Sequence, residues 1–389
     1  MKKKIRVGLL WHSADSANLG VGALTFSQIT LAERAATTAG VELEFLLIGW
    51  GRDQIAYSKP IVGSCQINFK RFSLRDRKLV DAFRSCDLVL DIGEGDSFSD
   101  IYGAKRLTYL IGSKLYALVL KKPLVMSPQT LGPFKGKIAA WCADFVMNRS
   151  RVVCSRDVLS TEYFRSRSLK ARFHEAIDVA FALPFKMLEK SAGRVSVGLN
   201  VSGLLWAGGY SGKNQFGLTF DYRAMIERLV EFFIAQPDVD LYLVSHVVPD
   251  NRVEEDDLHA AREIAGKFPS VRVVDKFENP SSAKSFISGL DYFVGARMHA
   301  CIAAFSSGVA VVPMAYSRKF RGLFSTLDYP YVADCFSDDA EHVYGLITRS
   351  FHERAEIATK VAEGNVKAQQ RLDGYVALLA EVFEEAANA

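Results

Sequence analysis

At 389 residues the chain exceeds what one hydrophobic core usually serves, so two domains of comparable size are expected. A charged fraction of 24% with 49% hydrophobic residues is that of a globular chain with packed cores, and it excludes a disordered or fibrous one. The formal net charge of +4, with no Lys/Arg stripe interleaved with aromatics, argues against nucleic acid as a partner and leaves a mildly basic surface suited to anionic substrates or an anionic membrane face.

The opening MKKKIRVGLLWH has the basic start of a signal peptide, but its apolar run stops at His12 and no small-residue cleavage site follows. It is expected to be a first strand with a basic leader. Residues 5 to 10 form that strand, SADSANLGVGA is a glycine-containing loop opening a helix to Ala39, and Val41 to Gly49 is the next strand. This is a β-loop-α-β start without the G-x-G-x-x-G fingerprint, so dinucleotide binding is not supported. The polar stretch Arg52 to Arg77 is expected to be rich in loops.

Asp87 to Ile92 is a buried strand running into GEGDSFSD, where Asp91, Glu94, Asp96 and Asp100 cluster. Such carboxylates offer an all-oxygen metal site, hydrogen bonds to sugar hydroxyls or general-base work on one of them, or plain helix caps. No His or Cys accompanies them, and the sugar-hydroxyl reading is preferred. Lys105 to Leu120 has helical pattern, Leu124 to Met126 is a short strand, and SPQTLGPF is a Pro/Gly-constrained loop carrying Gln129. The apolar stretch Leu107 to Met126 is broken by Lys114, Lys121 and Lys122, too often to span a bilayer, although peripheral membrane contact stays open. A helix from Gly136 to Asn148 precedes the strand Val152 to Cys154, which opens onto Ser155, Arg156 and Asp157.

DVAFALPFKMLEKSAGR drifts from apolar to charged with Pro184 and Gly193, and it is the natural linker. Domains of 1–186 and 187–389 follow. Val195 to Val201 restarts the alternation, with the loop SGLLWAGGYSGKNQFG, a helix at Asp221 to Ala235, the strand Val239 to Ser245, a polar helix to Lys267, the strand Val271 to Val274 and a helix from Ser281. Strands alternating with helices imply two parallel, doubly wound sheets. From His352 onward the chain is made of good helix formers, a long C-terminal helix able to pack back on the first domain. The six scattered cysteines form no C-x-x-C pair and are expected to be reduced core thiols, as in a cytoplasmic protein.

The stretch DYFVGARMHACIAAFSSGVAVVPMAYSRK, 291 to 319, carries the strongest chemical signal. A buried strand leads into a helix whose Met298, Cys301, Ile302 and Phe305 make one apolar stripe, followed by a second strand and a polar exit loop. Arg297 and His299 fall in the first helical turn, where cations oppose the helix dipole, and Lys319 leaves the same C-terminal sheet edge. With the free amides of the helix start they form a phosphate or carboxylate pocket.

Two Rossmann-like halves with a final helix resemble the GT-B glycosyltransferases, which implies a site in the cleft the halves face. The motifs resemble the polysaccharide pyruvyltransferase family: GEGDSFSD looks like its glycine-rich turn, SPQTLGPF like its Q-x-x-G-P-F loop, SRDVLS like its Arg turn, and GARMHACIAAFSSGVAVVPMAYSRK like its Arg-x-His signature with trailing Tyr and Lys. Two positions depart from it, Val21 where N-x-G-D would place Asp and Glu94 where a third Gly is common. The resemblance implies transfer of pyruvate from phosphoenolpyruvate (PEP) onto two hydroxyls of a sugar in a polysaccharide or its lipid-linked precursor at the inner membrane face, giving a cyclic ketal and phosphate. Arg297, Lys319 and Arg156 would bind PEP, His299 would be the general acid/base, Asp91 or Glu94 would orient or deprotonate the hydroxyl, and Asn18 and Gln129 would lie on the acceptor side. No metal or organic cofactor is expected. The alternatives are a GT-B glycosyltransferase with a nucleotide-sugar donor, Trp206 and Tyr210 stacking on its base, and a non-catalytic carbohydrate-binding member.

Overall fold

Short runs in which every residue is apolar need cover on both faces, and in this chain helices supply it around parallel strands. The computed structural model describes residues 2–50, 61–68, 76–95, 98–210 and 212–388. The chain divides into two compact units: unit 1 comprises Met1–Ser16, Leu24–Ala182 and Gln369–Ala389, and unit 2 comprises Ala17–Ala23 and Leu183–Ala368. The stretch 17–23, expected with the first domain, is thus grouped with the second, and the boundary falls at Ala182/Leu183.

In unit 1, β1 (Lys4–Leu10), β2 (Glu42–Gly49), β3 (Ile61–Gln66), β4 (Leu88–Asp91), β5 (Leu124–Gln129), β6 (Val152–Ser155) and β7 (Phe173–Glu175) form a parallel sheet in the order β3-β2-β1-β4-β5-β6-β7. The order reverses between β1 and β4, which pair from Val7↔Leu88 to Leu10↔Asp91. The strand β3, in the stretch expected to be loop, is a half-buried edge strand whose Gly63, Ser64 and Gln66 carry none of the apolar signal of a central strand. Helices α1 (Leu19–Ala39), α2 (Arg77–Ser85), α3 (Ala104–Val119), α4 (Lys137–Arg149) and α5 (Val158–Ser166) join these strands. Asp76 caps α2 and Asp157 caps α5 through their side chains.

Unit 2 repeats the plan. Its strands β8 (Val195–Asn200), β9 (Val239–Leu243), β10 (Arg272–Val273), β11 (Tyr292–Gly295), β12 (Ala310–Ala315) and β13 (Ala333–Asp334) are parallel in the order β10-β9-β8-β11-β12-β13, reversing between β8 and β11. The helices are α6 (Gly203–Trp206), α7 (Tyr222–Ile234), α8 (Asp257–Lys267), α9 (Pro280–Ser288), α10 (Met298–Ser306), α11 (Arg318–Thr326) and α12 (Ala340–His352). The start of the expected linker is stitched to α9: buried Lys284 donates to the Leu183 carbonyl at 3.1 Å, while Ser285 and Ser288 accept from the amides of Lys186 and Leu188. Burial pushes the Lys284 amine down to about 7.

The chain ends in α13 (Arg354–Asn388). Its residues from Gln369 belong to unit 1, where the buried Tyr375 hydroxyl donates to Gln28 at 3.1 Å and lies 3.0 Å from Ser127, and Arg151 and Arg172 pair with Glu385 and Glu381. All six cysteines are free thiols, four of them buried. No helix of the described residues is long and apolar enough to cross a membrane.

Candidate functional site

In open α/β sheets the strand ends on either side of the order reversal leave a crevice, and in both units that edge carries the polar residues the apolar strands lack. In unit 2, β8 ends at Asn200 and β11 leads through Ala296 to Arg297. Arg297 has extended backbone at the N-cap of α10 rather than lying in its first turn, and its amide donates to Asn200 Oδ1 at 2.9 Å. The guanidinium is held by Asp257, the first residue of α8, through Nη2 at 2.7 Å and Nε at 3.1 Å, and Nη2 also reaches the Glu255 carbonyl. Asp257 is fully buried and accepts from the amides of Gly203, His246 and Val247 as well. Burial opposes the charge of Arg297, but the carboxylate outweighs it and holds the guanidinium protonated. Nη1 makes no hydrogen bond among the described residues, so this is a fixed cation with one nitrogen to offer.

His299, half-buried in the first turn of α10, packs against Gly20 so closely that a Cβ on residue 20 would lie 2.3 Å from Nδ1. Any side chain there displaces the ring. The loop holding Gly20 lies along the stretch after β9: Asn18 forms an antiparallel bridge with Val247, and the Leu19 amide donates to the His246 carbonyl at 3.1 Å. Asn18, expected on the acceptor side of the first domain, sits in unit 2, and its Oδ1 accepts from the Gly20 amide to close the turn that presents Gly20 to His299. His246 is buried beside this group with no hydrogen bond to either ring nitrogen among the described residues. Burial first, then the neighbouring His299 and Arg297, push its pKa down to about 3, so it is neutral at working pH.

Lys319 is not in an exit loop. It is the second residue of α11, half-buried, beside Arg318 in a first turn without an acidic residue. Since β11 and β12 pair side by side, from Tyr292↔Ala310 to Gly295↔Pro313, the starts of α10 and α11 are neighbours on one edge. Two helix N-termini, each with basic residues, converge there.

Unit 1 places the other candidates. Asp91, at the end of β4, is completely buried, and its oxygens are taken by Lys114 Nζ at 3.0–3.1 Å and Gln129 Nε2 at 3.0 Å. Lys114 is equally buried; burial lowers its pKa and Asp91 opposes that. Asp91, expected to act on a hydroxyl, has both carboxylate oxygens engaged in the interior by Lys114 and Gln129. Gln129 is left with Oε1 buried and without a partner among the described residues. Glu94 has φ 59°, ψ 28° and pairs with Arg106 at 2.8 Å. The left-handed backbone is why glycine suits that position. Asp96 lies outside the described residues.

Arg156 is buried after β6, its Nη1 donating to Asp178 at 2.9 Å and its Nε to Thr130 at 2.9 Å, with Nη2 buried and unpartnered among the described residues. It repeats the logic of Arg297: a buried aspartate fixes the fork and one nitrogen is spare. His12, after β1, is buried, and its pKa is pushed down to about 3. Among the described residues no three His, Cys, Asp or Glu side chains gather as a metal site requires.

Trp206, a candidate base-stacking residue, is buried in α6, with Nε1 donating to Glu263 and the Arg223 guanidinium 4.8 Å over its ring. A cavity of about 590 Å³ borders it, lined also by Asn214, Phe220 and Tyr222, but the indole face is already covered. Tyr210 is exposed and bonded to Glu255. Sequence reading did not single out His246, Asp257, Asp178 or the Gly20 contact. His246 had a visible signal, a lone Ser-His pair ending an apolar strand, the same pattern used for Arg156.

The model of the polysaccharide pyruvyl transferase family matches residues 41–318. The amylovoran biosynthesis protein AmsJ of Erwinia amylovora is 22% identical over 274 residues, 66% of this chain and 63% of the relative, so the chain spans less than two thirds of that protein's length. Among solved structures, a putative UDP-N-acetylglucosamine 2-epimerase from Listeria monocytogenes superposes with TM-score 0.59 at 12% identity, covering 94% of each chain. Sucrose-phosphate synthase from Thermosynechococcus elongatus gives 0.58 at 14% over 98% of each, and Anabaena HepE in complex with UDP and glucose gives 0.58 at 13% over 99% of each. At such identities the likeness concerns the fold, which is of the GT-B kind.

Proposed function

The chain belongs to the polysaccharide pyruvyl transferase family, and we propose that it moves the pyruvyl group of PEP onto two hydroxyls of a saccharide, closing a cyclic ketal and releasing phosphate. The observation that carries this reading is the His299 imidazole packed on Gly20, where a Cβ would meet the ring, at the same helix start as an arginine fixed by Asp257 with Nη1 to spare. A fixed cation and a proton-exchanging ring at a helix start are what an enol phosphate needs.

The steps follow from the substrate. C3 of PEP gains a proton from His299, leaving C2 electron-poor, and a saccharide hydroxyl adds there as its own proton returns to the imidazole. Loss of phosphate from C2 and addition of the second hydroxyl, whose proton leaves with the phosphate, complete the ketal. Arg297 Nη1 and Lys319 hold the phosphate and carboxylate, and the helix starts stabilise the charge that builds on the departing phosphate. In unit 1, the spare Nη2 of Arg156 suits an anionic group, while Gln129 Oε1 and Glu94 suit hydroxyls. Neutral His246 packs behind His299 without competing for the proton.

Phosphate release from PEP in the presence of saccharide acceptors tests the reading. Lys319→Ala is expected to weaken PEP binding by about 1.5–3 kcal/mol, the worth of a charge-assisted contact. Sugar transfer from a nucleotide sugar, with PEP unused, would contradict the proposal.

A further inference from the structure

Helix α4 is apolar on two faces. Ala140, Ala143, Val146 and Met147 are buried against unit 1, as the helix requires. On another face Ile138 is 80% and Trp141 67% exposed, and the half-buried Phe145 continues the line with its ring centroid 6.0 Å from that of Trp141. A second loop adds to the patch: Asp100 accepts from the amides of Lys135 and Gly136 at 2.8 and 2.9 Å, which sets Ile101 (56% exposed) and Tyr102 (41%) beside the start of α4. Ser99 donates to the Pro133 carbonyl, so the two loops are clamped together.

Basic residues frame this patch. Lys105, Lys135 and Lys137 are exposed and paired with no carboxylate among the described residues, and Arg149 lies over Phe145 at the far end of the stripe. Of the nearby acids, Asp100 is turned into its loop and Asp144 is paired with Arg167 at 2.6 Å. Lysines before and at the start of a helix oppose its dipole, so helix stability does not account for them. An exposed Trp, Tyr and Ile group framed by unpaired lysines matches the region where headgroups meet acyl chains, the rings entering the apolar layer and the ammonium groups meeting lipid phosphates.

We infer that this face of unit 1, Ile101, Tyr102, Ile138 and Trp141 with Lys105, Lys135 and Lys137, docks on an anionic lipid surface. An enzyme so docked meets an acceptor carried on lipid without a membrane-spanning helix. The test is sedimentation of the full chain with phosphatidylglycerol–phosphatidylcholine vesicles and with phosphatidylcholine vesicles, with neither donor nor acceptor present, so that its failure leaves the pyruvyl-transfer reading standing.

Binding to the anionic vesicles, weakened by salt, is expected, with Trp141 emission shifting to the blue; of the four tryptophans it is the exposed one. Replacing Ile138 and Trp141 by Ser should lower vesicle affinity about ten-fold or more. Lys135→Glu with Lys137→Glu should lower it about ten-fold or more, and Trp141→Phe should retain most of it. Failure of the wild-type chain to bind vesicles, or unchanged binding by the folded Ser or Glu variants, overturns the inference. So does a concentration-dependent dimer that Trp141→Ser abolishes, which would make the patch a contact between copies.

Discussion

At the order reversal of unit 1, β4 ends on Asp91, sealed by Lys114 and Gln129 with neither charge exposed; at that of unit 2, β11 leads to Arg297, anchored with Nη1 unbonded among the described residues, and to His299 pressed on a glycine. The strand order around the two points is the same. What differs is whether the charges find all their partners inside. A carboxylate whose oxygens are both taken within the core offers a ligand nothing further, whereas a guanidinium anchored on one side keeps a nitrogen to offer. The arginines repeat the second pattern in both units, Arg156 on Asp178 and Arg297 on Asp257, and each anchor removes the freedom that would otherwise be lost on binding an anion.

The largest effect should come from His299→Ala. If the ring is the acid/base of the reactive half, kcat falls about 10²–10⁴-fold in a phosphate-release assay, while PEP affinity from titration changes little. Nearly as large, but in stability, is Lys114→Met, which strands a buried carboxylate and should cost about 3–5 kcal/mol in urea denaturation. Combined with Asp91→Leu it should recover most of that loss and keep turnover. A folded double variant without activity would return Asp91 to the chemistry and dissolve the contrast between the two reversals.

Gly20→Ala sharpens the other side of the comparison. Displacing the imidazole should lower kcat about 100-fold, and in the His299→Ala background the same substitution should add almost nothing. Equal losses in both backgrounds would mean that Gly20 acts on something other than the ring.

The smallest effect, taken per pH unit, is shared. His12 and His246 are neutral in the folded protein, with pKa values near about 3 against 6.5 in the unfolded chain. Between those values the unfolded chain binds more protons, so this contribution is complete above pH 6.5 and is lost as pH falls from there towards 3. The slope is about 1.4 kcal/mol per pH unit for each histidine. Replacing His246 by Asn should lower the slope of stability against pH across that range by about 1.4 kcal/mol per pH unit, and an unchanged slope would show that the ring is not buried neutral.

The sequence revealed the sheets because their central strands are apolar runs, as in LVL before Asp91 and in YFVG, and revealed the Arg-x-His turn because it interrupts such a run. The edge strand β3 was hidden by its small polar residues. The partners of the cations were hidden for another reason: Asp257 lies 40 positions from Arg297, in an acidic segment that looks like ordinary capping, and Asp178 lies 22 from Arg156. Nor does any local signal tell that Gly20 packs on a ring nearly 280 residues away, since glycine in a loop says only that the backbone needs room.

The most direct measurement is a calorimetric titration of PEP into the wild-type chain and into Lys319→Ala and His299→Ala, with and without a saccharide acceptor, and with nucleotide sugar as a competing ligand. The account predicts saturable one-site PEP binding, weakened by Lys319→Ala, nearly unchanged by His299→Ala and indifferent to nucleotide sugar. Absence of PEP binding by the folded wild-type chain in the presence of acceptor, or its displacement by nucleotide sugar, would contradict it.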